Sequence, residues 1–85
     1  MNEVFRALND ETRRKILTML SEKGSLAASE IHKHFEMSKP SISHHLNILR
    51  SAGLVTSEKK GQYIYYTLHT TVLQDLLSWM INLNK

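Results

Sequence analysis

EMSKPSISHHLNILRSAGLV, residues 36–55, is the stretch that decides the fold. Ser38 stands where a helix N-cap belongs, and Pro40 falls in the first turn, where its missing N–H costs nothing. Ile42, Leu46 and Leu49 follow at i, i+4 and i+7, one inward stripe, and Gly53 supplies the stop. The opposite side presents Pro40, Ser43, His44, Asn47 and Ser51, and no Asp or Glu occurs between Lys39 and Ser51. An ordinary solvated face mixes Glu with Lys at i, i+4 spacing. Short or adaptable donors and acceptors without acids suit base edges and phosphates in a DNA major groove.

Upstream, Ala28, Ile31 and Phe35 recur at i, i+3 and i+7, which predicts a two-turn helix over 27–35 with Ser25 as its cap. Two helices across a three-residue turn make a helix-turn-helix. Before them, Asp10 is placed to cap a helix whose stripe is Ile16, Leu17 and Leu20, ending near Glu22 ahead of Gly24. The first segment, Asn2 to Leu8, puts Val4, Phe5 and Leu8 on one face and is too short to stand alone.

Downstream, LVTSEKKGQYIYYTL is rich in Val, Ile, Thr and Tyr around a central Gly61 and reads as a hairpin. Its expected strands are 54–58 and 63–68, with Lys59, Lys60, Gly61 and Gln62 as a basic tip able to reach phosphates. Tyr63, Tyr65 and Tyr66 are expected to pack across the strands rather than stack on bases. From Thr71 the chain returns to helix, and its apolar residues, including Leu73, Leu76, Leu77, Trp79, Met80 and Leu83, cover an arc of roughly 200° where a monomer's surface helix needs little more than 100°. A second subunit is expected to cover the excess, with the first helix beside it.

The 85 residues suffice for one domain, 1–85. The fold class is mainly α with a small β-hairpin, a winged helix-turn-helix. Eleven Lys and Arg against eight Asp and Glu give a net charge of +3, in keeping with nucleic-acid binding. The chain has no cysteine, so disulfides, thiolate metal sites and cysteine nucleophiles are excluded. No apolar run approaches the roughly 18 residues of a membrane span, and MNEVFRALND is too polar for a signal peptide, so a cytoplasmic location without membrane insertion is expected. His32 and His34 at i, i+2 point apart and His44 and His45 are adjacent, so neither pair chelates as an i, i+4 pair does, and no metal or other cofactor is expected. His45 falls at the edge of the stripe and reads as a hydrogen-bonded boundary residue; His44 points outward. Ser43 beside His44 is no catalytic dyad, since helical neighbours diverge by about 100°, and the chain offers no phosphate loop or paired acids, so no enzymatic activity is expected.

DETRRKIL, EMSKPSISHHLNILRSAGLV and KKGQYIYYTL together resemble the ArsR/SmtB type of winged-helix repressors, and within it the metal-free, SdpR-like autorepressor branch. The resemblance implies a homodimer joined through the first and last helices: Val4, Phe5, Leu8, Leu73, Leu76, Leu77, Trp79, Met80 and Leu83. It implies double-stranded DNA as partner, a palindromic operator in the protein's own or a neighbouring promoter, and repression by occlusion. Lys39, Pro40, Ser41, Ser43 and His44 match recognition-helix positions, and Lys59, Lys60 and Gln62 match the wing. Many relatives carry Arg where Gln62 stands. Asn47 and Arg50 complete the candidate face, Arg50 as a phosphate contact. The thiol pair and the His and acid ligands of the metal-sensing members are absent. Release by a sequestering protein partner, a ligand-sensing repressor and a winged helix used as a protein-interaction module are the alternatives the sequence leaves open.

Overall fold

A computed structural model of the chain describes residues 1–84. Five helices and three strands follow in the order α1 (Asn2–Leu8), α2 (Glu11–Lys23), β1 (Leu26–Ala27), α3 (Ala28–His32), α4 (Lys39–Ser51), β2 (Val55–Lys60), β3 (Tyr63–Leu68) and α5 (Thr70–Asn82). The strands form one antiparallel sheet in the order β1-β3-β2. With α3 and α4 as the helix pair and β2–β3 as the wing, this is a winged helix-turn-helix.

The stripes read from the sequence meet in one cluster. Ile16 and Leu20 from α2, Ile31 from α3, and Ile42, Leu46 and Leu49 from α4 are almost fully buried, with Leu54, Val55 and Tyr66 closing the cluster from the sheet. Each such side chain contributes about 1.5–3 kcal/mol relative to exposure. The end of α4 is built by SAGLV. Ala52 is the C-cap, Gly53 adopts φ 78°, and the N–H groups of Gly53 and Leu54 return to the carbonyls of Arg50 and Leu49, both at 3.0 Å. That double bond is a Schellman motif, which needs a left-handed residue at the glycine position.

Four expectations are corrected. The helix expected over 27–35 is α3, ending at His32, because from there the backbone bonds shorten to i, i+3, with His34 N–H on Ile31 and Phe35 N–H on His32, both at 3.1 Å. Ser25 does not cap it. Residues 26–27 are drawn into the sheet opposite Tyr66 and Tyr65, the Ser25 hydroxyl accepts from Thr67 at 3.1 Å, and the cap passes to Ala27, whose N–H donates to Glu30 Oε1 at 2.9 Å. Lys59 and Lys60 are not in the tip. They continue β2, paired with Ile64 and Tyr63, and leave Gly61 (φ 64°) and Gln62 as a two-residue turn. Glycine at its first central position suits the type II′ geometry that matches strand twist. Tyr66 is buried and Tyr65 half-buried, but Tyr63 is 47% exposed rather than packed.

The N-terminal half is joined by polar contacts. Asp10 caps α2, its carboxylate accepting from Arg13 N–H at 3.0 Å. The Arg13 guanidinium donates to the carbonyls of Ala7 at 2.8 Å and Arg6 at 3.1 Å, and reaches His45 Nδ1 at 3.1 Å. Arg14 adds the Leu8 carbonyl at 2.7 Å. Guanidinium has no acceptor, so His45 Nδ1 must carry the lone pair and Nε2 the proton. The 3.8 Å approach of Asp10 to that nitrogen is therefore proximity to a neutral ring and not an ion pair.

The Arg13 backbone bond, joined by the charge of Arg13, holds the Asp10 carboxyl below its ordinary value of 3.8 against the opposing effect of burial. A lowered native pKa makes its stabilisation complete above the unfolded value and lost as pH falls through the native one. Urea unfolding of wild type should therefore weaken more steeply with acidification below about pH 4 than that of Asp10→Asn, which keeps the cap without the titration. Parallel acid limbs for the two proteins would remove this role.

Candidate nucleic-acid interface

The exposed side of α4 begins at its cap. Ser38 Oγ accepts from Ser41 N–H at 3.2 Å and donates to Ser41 Oγ at 3.0 Å, and Pro40 occupies the first turn. The four backbone N–H groups a helix leaves unpaired at its start are thereby reduced by the cap and the proline. From this start the helical period puts Lys39, Pro40, Ser41, Ser43, His44, Asn47 and Arg50 on the solvent side, all exposed. His44 and His45 separate as their adjacent positions demand: His45 turns inward to Arg13, its side chain 15% exposed, while His44 faces out.

Not all of these side chains are free. Arg50 donates to Asn47 Oδ1 at 3.2 Å and to Ser57 Oγ on β2 at 3.4 Å, so it braces the wing against α4. Two of the others meet the wing in one place. Lys39 and Ser43 from α4 and Gln62, Tyr63 and Ile64 from the hairpin line a cleft of about 240 Å³, with Ser29 and His32 of α3 at its back. Lys59 and Lys60 are outside that cleft. Pairing and alternation put Lys59 on the side of β2 that carries Val55 and Ser57 toward α4, and Lys60 on the other side, its Nζ 5.7 Å from the Tyr65 ring centre. The two lysines thus extend the positive surface along both sides of the hairpin.

The structural part His32 plays was not legible in the sequence. Its Nε2 lies 2.7 Å from the carbonyl oxygen of Met37, and because a carbonyl only accepts, that nitrogen carries a proton. This bond closes the turn between α3 and α4 and so sets where α4 starts. An i, i+5 contact across an irregular turn leaves no periodic trace. The contacts of Arg13 were likewise not legible, since they join residues far apart in the sequence.

The proposed dimer residues divide in two. Val4 is 7% exposed and lies in the core with Ala7, so it has no surface to offer a second subunit; the seven-residue α1 spends it on docking. Leu8, Leu73 and Leu76 are half-buried against the core. Phe5, Leu77, Trp79, Met80 and Leu83 are exposed, joined by Ile81, and no residue of α5 is buried. Phe5 and Trp79 meet edge to face with ring centres 6.0 Å apart. The radius of gyration, 13.4 Å, exceeds the roughly 12 Å of a compact chain of this length, as expected when the wing and α5 project.

Among the described residues, no group of three His, Asp or Glu side chains is placed to hold a metal ion, and no helix is long and apolar enough to cross a membrane.

Comparison with known proteins places these features. Residues 10–57 match the family model described as bacterial regulatory protein, arsR family. The chain is similar to the transcriptional repressor SdpR of Bacillus subtilis (strain 168), 57% identical over 86 residues that span all of this chain and 94% of that protein. It is similar to the arsenic resistance transcriptional regulator ArsR1 of Pseudomonas putida, 41% identical over 71 residues, 84% of this chain and 56% of that one. Among solved structures, an ArsR-like transcriptional regulator from Rhodococcus sp. RHA1 superposes with a TM-score of 0.89 at 35% identity, covering 98% of this chain and 75% of the other.

Loss of the α4 cap should be visible separately from loss of DNA contacts. Ser38→Ala is expected to cost about 1 kcal/mol in urea unfolding. A change below a few tenths of a kcal/mol would show that Pro40 and the turn set the start of α4 without the cap.

Proposed function

This chain belongs to the arsR family of bacterial regulatory proteins, and on that premise we propose that it is a homodimeric transcriptional repressor that binds a palindromic operator, autoregulates, and works in the cytoplasm. The observation that carries the reading is the exposed, acid-free face of α4 beside a basic wing. Ser41, Ser43 and His44 read base edges, and Asn47, though engaged by Arg50, keeps its amide donors for the same groove. Lys39, Lys59 and Lys60 supply the phosphate contacts, and Gln62 adds an uncharged donor at the turn. Arg50 acts through the wing as well as through its charge.

The exposed apolar surface of α5 and Phe5 supports the dimer. Six large side chains on one small protomer are more than a soluble monomer leaves open. Two copies joined there by a two-fold axis put two α4 helices into successive major grooves, about 34 Å apart, and the operator takes the symmetry of the protein. Repression follows from occupying the promoter. A chain without cysteine has no thiol switch, and a protein partner that sequesters the dimer is the release route this reading favours.

Selection of binding sites from random duplex DNA, followed by footprinting, tests the proposal. The expected winner is a palindrome with half-sites one turn apart; a protein that enriches no sequence is not an operator-binding repressor. On the selected duplex, His44→Ala should change the preferred base within each half-site, while Lys60→Ala should weaken selected and mixed duplexes by the same factor. The roles are misassigned if the two variants behave alike.

Sedimentation tests the dimer. Leu77→Lys puts a charge into the middle of the exposed α5 surface and should yield monomers at concentrations where wild type is dimeric, with the helical content of the protomer retained. Unchanged sedimentation would move the interface off α5.

A further inference from the structure

We infer that the DNA duplex is held by α1 as well as by α4 and the wing: the groove between α1 and the outer side of α4 receives a backbone phosphate, and Arg6 binds it. The inference rests on the DNA-binding reading above. The groove, about 480 Å³, is walled by Arg6 and Glu3 of α1, by Arg13, and by His44, Asn47 and Ser51 of α4. Two of those α4 residues belong to the base-reading face, so the groove is continuous with it and a duplex seated on His44 and Asn47 runs past Arg6.

The cations of α1 and of the start of α2 differ in what they are free to do. Arg13 is committed to two carbonyls and His45, Arg14 to the Leu8 carbonyl, and Lys15 to Glu11 at 3.4 Å. Arg6 is exposed, and among the described residues its guanidinium makes no hydrogen bond or ion pair. Its part in the fold is played by its backbone carbonyl, which accepts from Arg13 and from Asn9 N–H at 3.2 Å. A free, planar five-donor group beside a groove-reading helix matches the bidentate geometry of a phosphate. Glu3, one turn earlier on the same wall, is the single opposing charge and reduces the attraction without cancelling it, since Arg13 adds its positive charge from the other side.

The test is the salt dependence of binding to the selected duplex and to mixed sequence. Each phosphate contact contributes about 0.9 to the slope of log affinity against log salt, and a dimer loses two with Arg6→Gln, so the slope should flatten by about 1.8. Both duplexes should weaken by the same factor, Arg6→Lys should keep the slope, and Glu3→Gln should tighten both. An unchanged slope with Arg6→Gln overturns the inference. So does a loss confined to the selected sequence, which would make Arg6 a base reader, or a shift in the monomer–dimer equilibrium, which would place it at the subunit contact. If wild type itself shows neither site preference nor salt dependence, the DNA reading falls and this inference with it; a site-selective wild type with an unaltered Arg6→Gln slope removes the inference alone.

Discussion

Arg13 reaches out of α2 and occupies acceptors on two other helices: the carbonyls of Arg6 and Ala7 at the end of α1, and the ring of His45 in the middle of α4. A seven-residue helix in isolation does not survive the cost of nucleation, and its last four carbonyls have no partners within the helix. Cationic donors on those carbonyls contribute about 1.5–3 kcal/mol each, comparable to burying Val4, so the polar contacts and the apolar dock are of similar weight in holding α1. The placement of α1 in turn settles where Phe5 meets Trp79, and so the shape of the apolar surface. One side chain thereby links the helix beside the exposed apolar surface to α4, the candidate recognition helix.

The sequence was most legible where a single period governs a long element. The α4 stripe, its serine cap and its glycine stop follow from local rules, and all three stand in the structure. The excess apolar arc of α5 was legible for the same reason: thirteen residues give the 3.6 period room to declare a face the protomer leaves open. Legibility failed where tertiary pairing overrides local preference. Leu26 and Ala27 carry no strand signature, yet β3 has a free edge, and pairing with Tyr65 and Tyr66 satisfies it and moves the start of the helix by one residue. The wing tip failed on register. Nothing local distinguishes a four-residue tip from a two-residue turn around the same glycine, and the choice rests on the ladder that carries Lys59 and Lys60 with it.

The candidate site followed the same division. The residues of α4 that face outward could be read from helical angle alone, including the opposite fates of His44 and His45. The contacts that position α4 could not, because they join residues far apart in sequence or across irregular turns. Val4 shows the limit from the other side: a periodic stripe says which residues are inward, and on α1 the inward direction is the protomer's own core, leaving Phe5 to the outer surface.

Those positioning contacts fall at the start, middle and end of α4. His32 fixes the turn before it through Met37, Arg13 holds its centre through His45, and His69 reaches its end, with Nδ1 3.2 Å from the Gly53 carbonyl and its backbone N–H 2.9 Å from that of Leu54. Each contact leads to a different element, and the last leads to α5, for which His69 is the N-cap residue. Recognition of base edges demands that donors and acceptors be held to within hydrogen-bond tolerance, which loops do poorly and packed helices do well. Since α5 carries the open apolar surface and its N-cap residue is hydrogen-bonded just past the end of α4, two copies joined as proposed through α5 would have the separation of their α4 helices set by packed elements and not by a linker. That is the condition under which the spacing of a palindrome can be selected at all, because a flexible joint would accept many spacings with similar affinity.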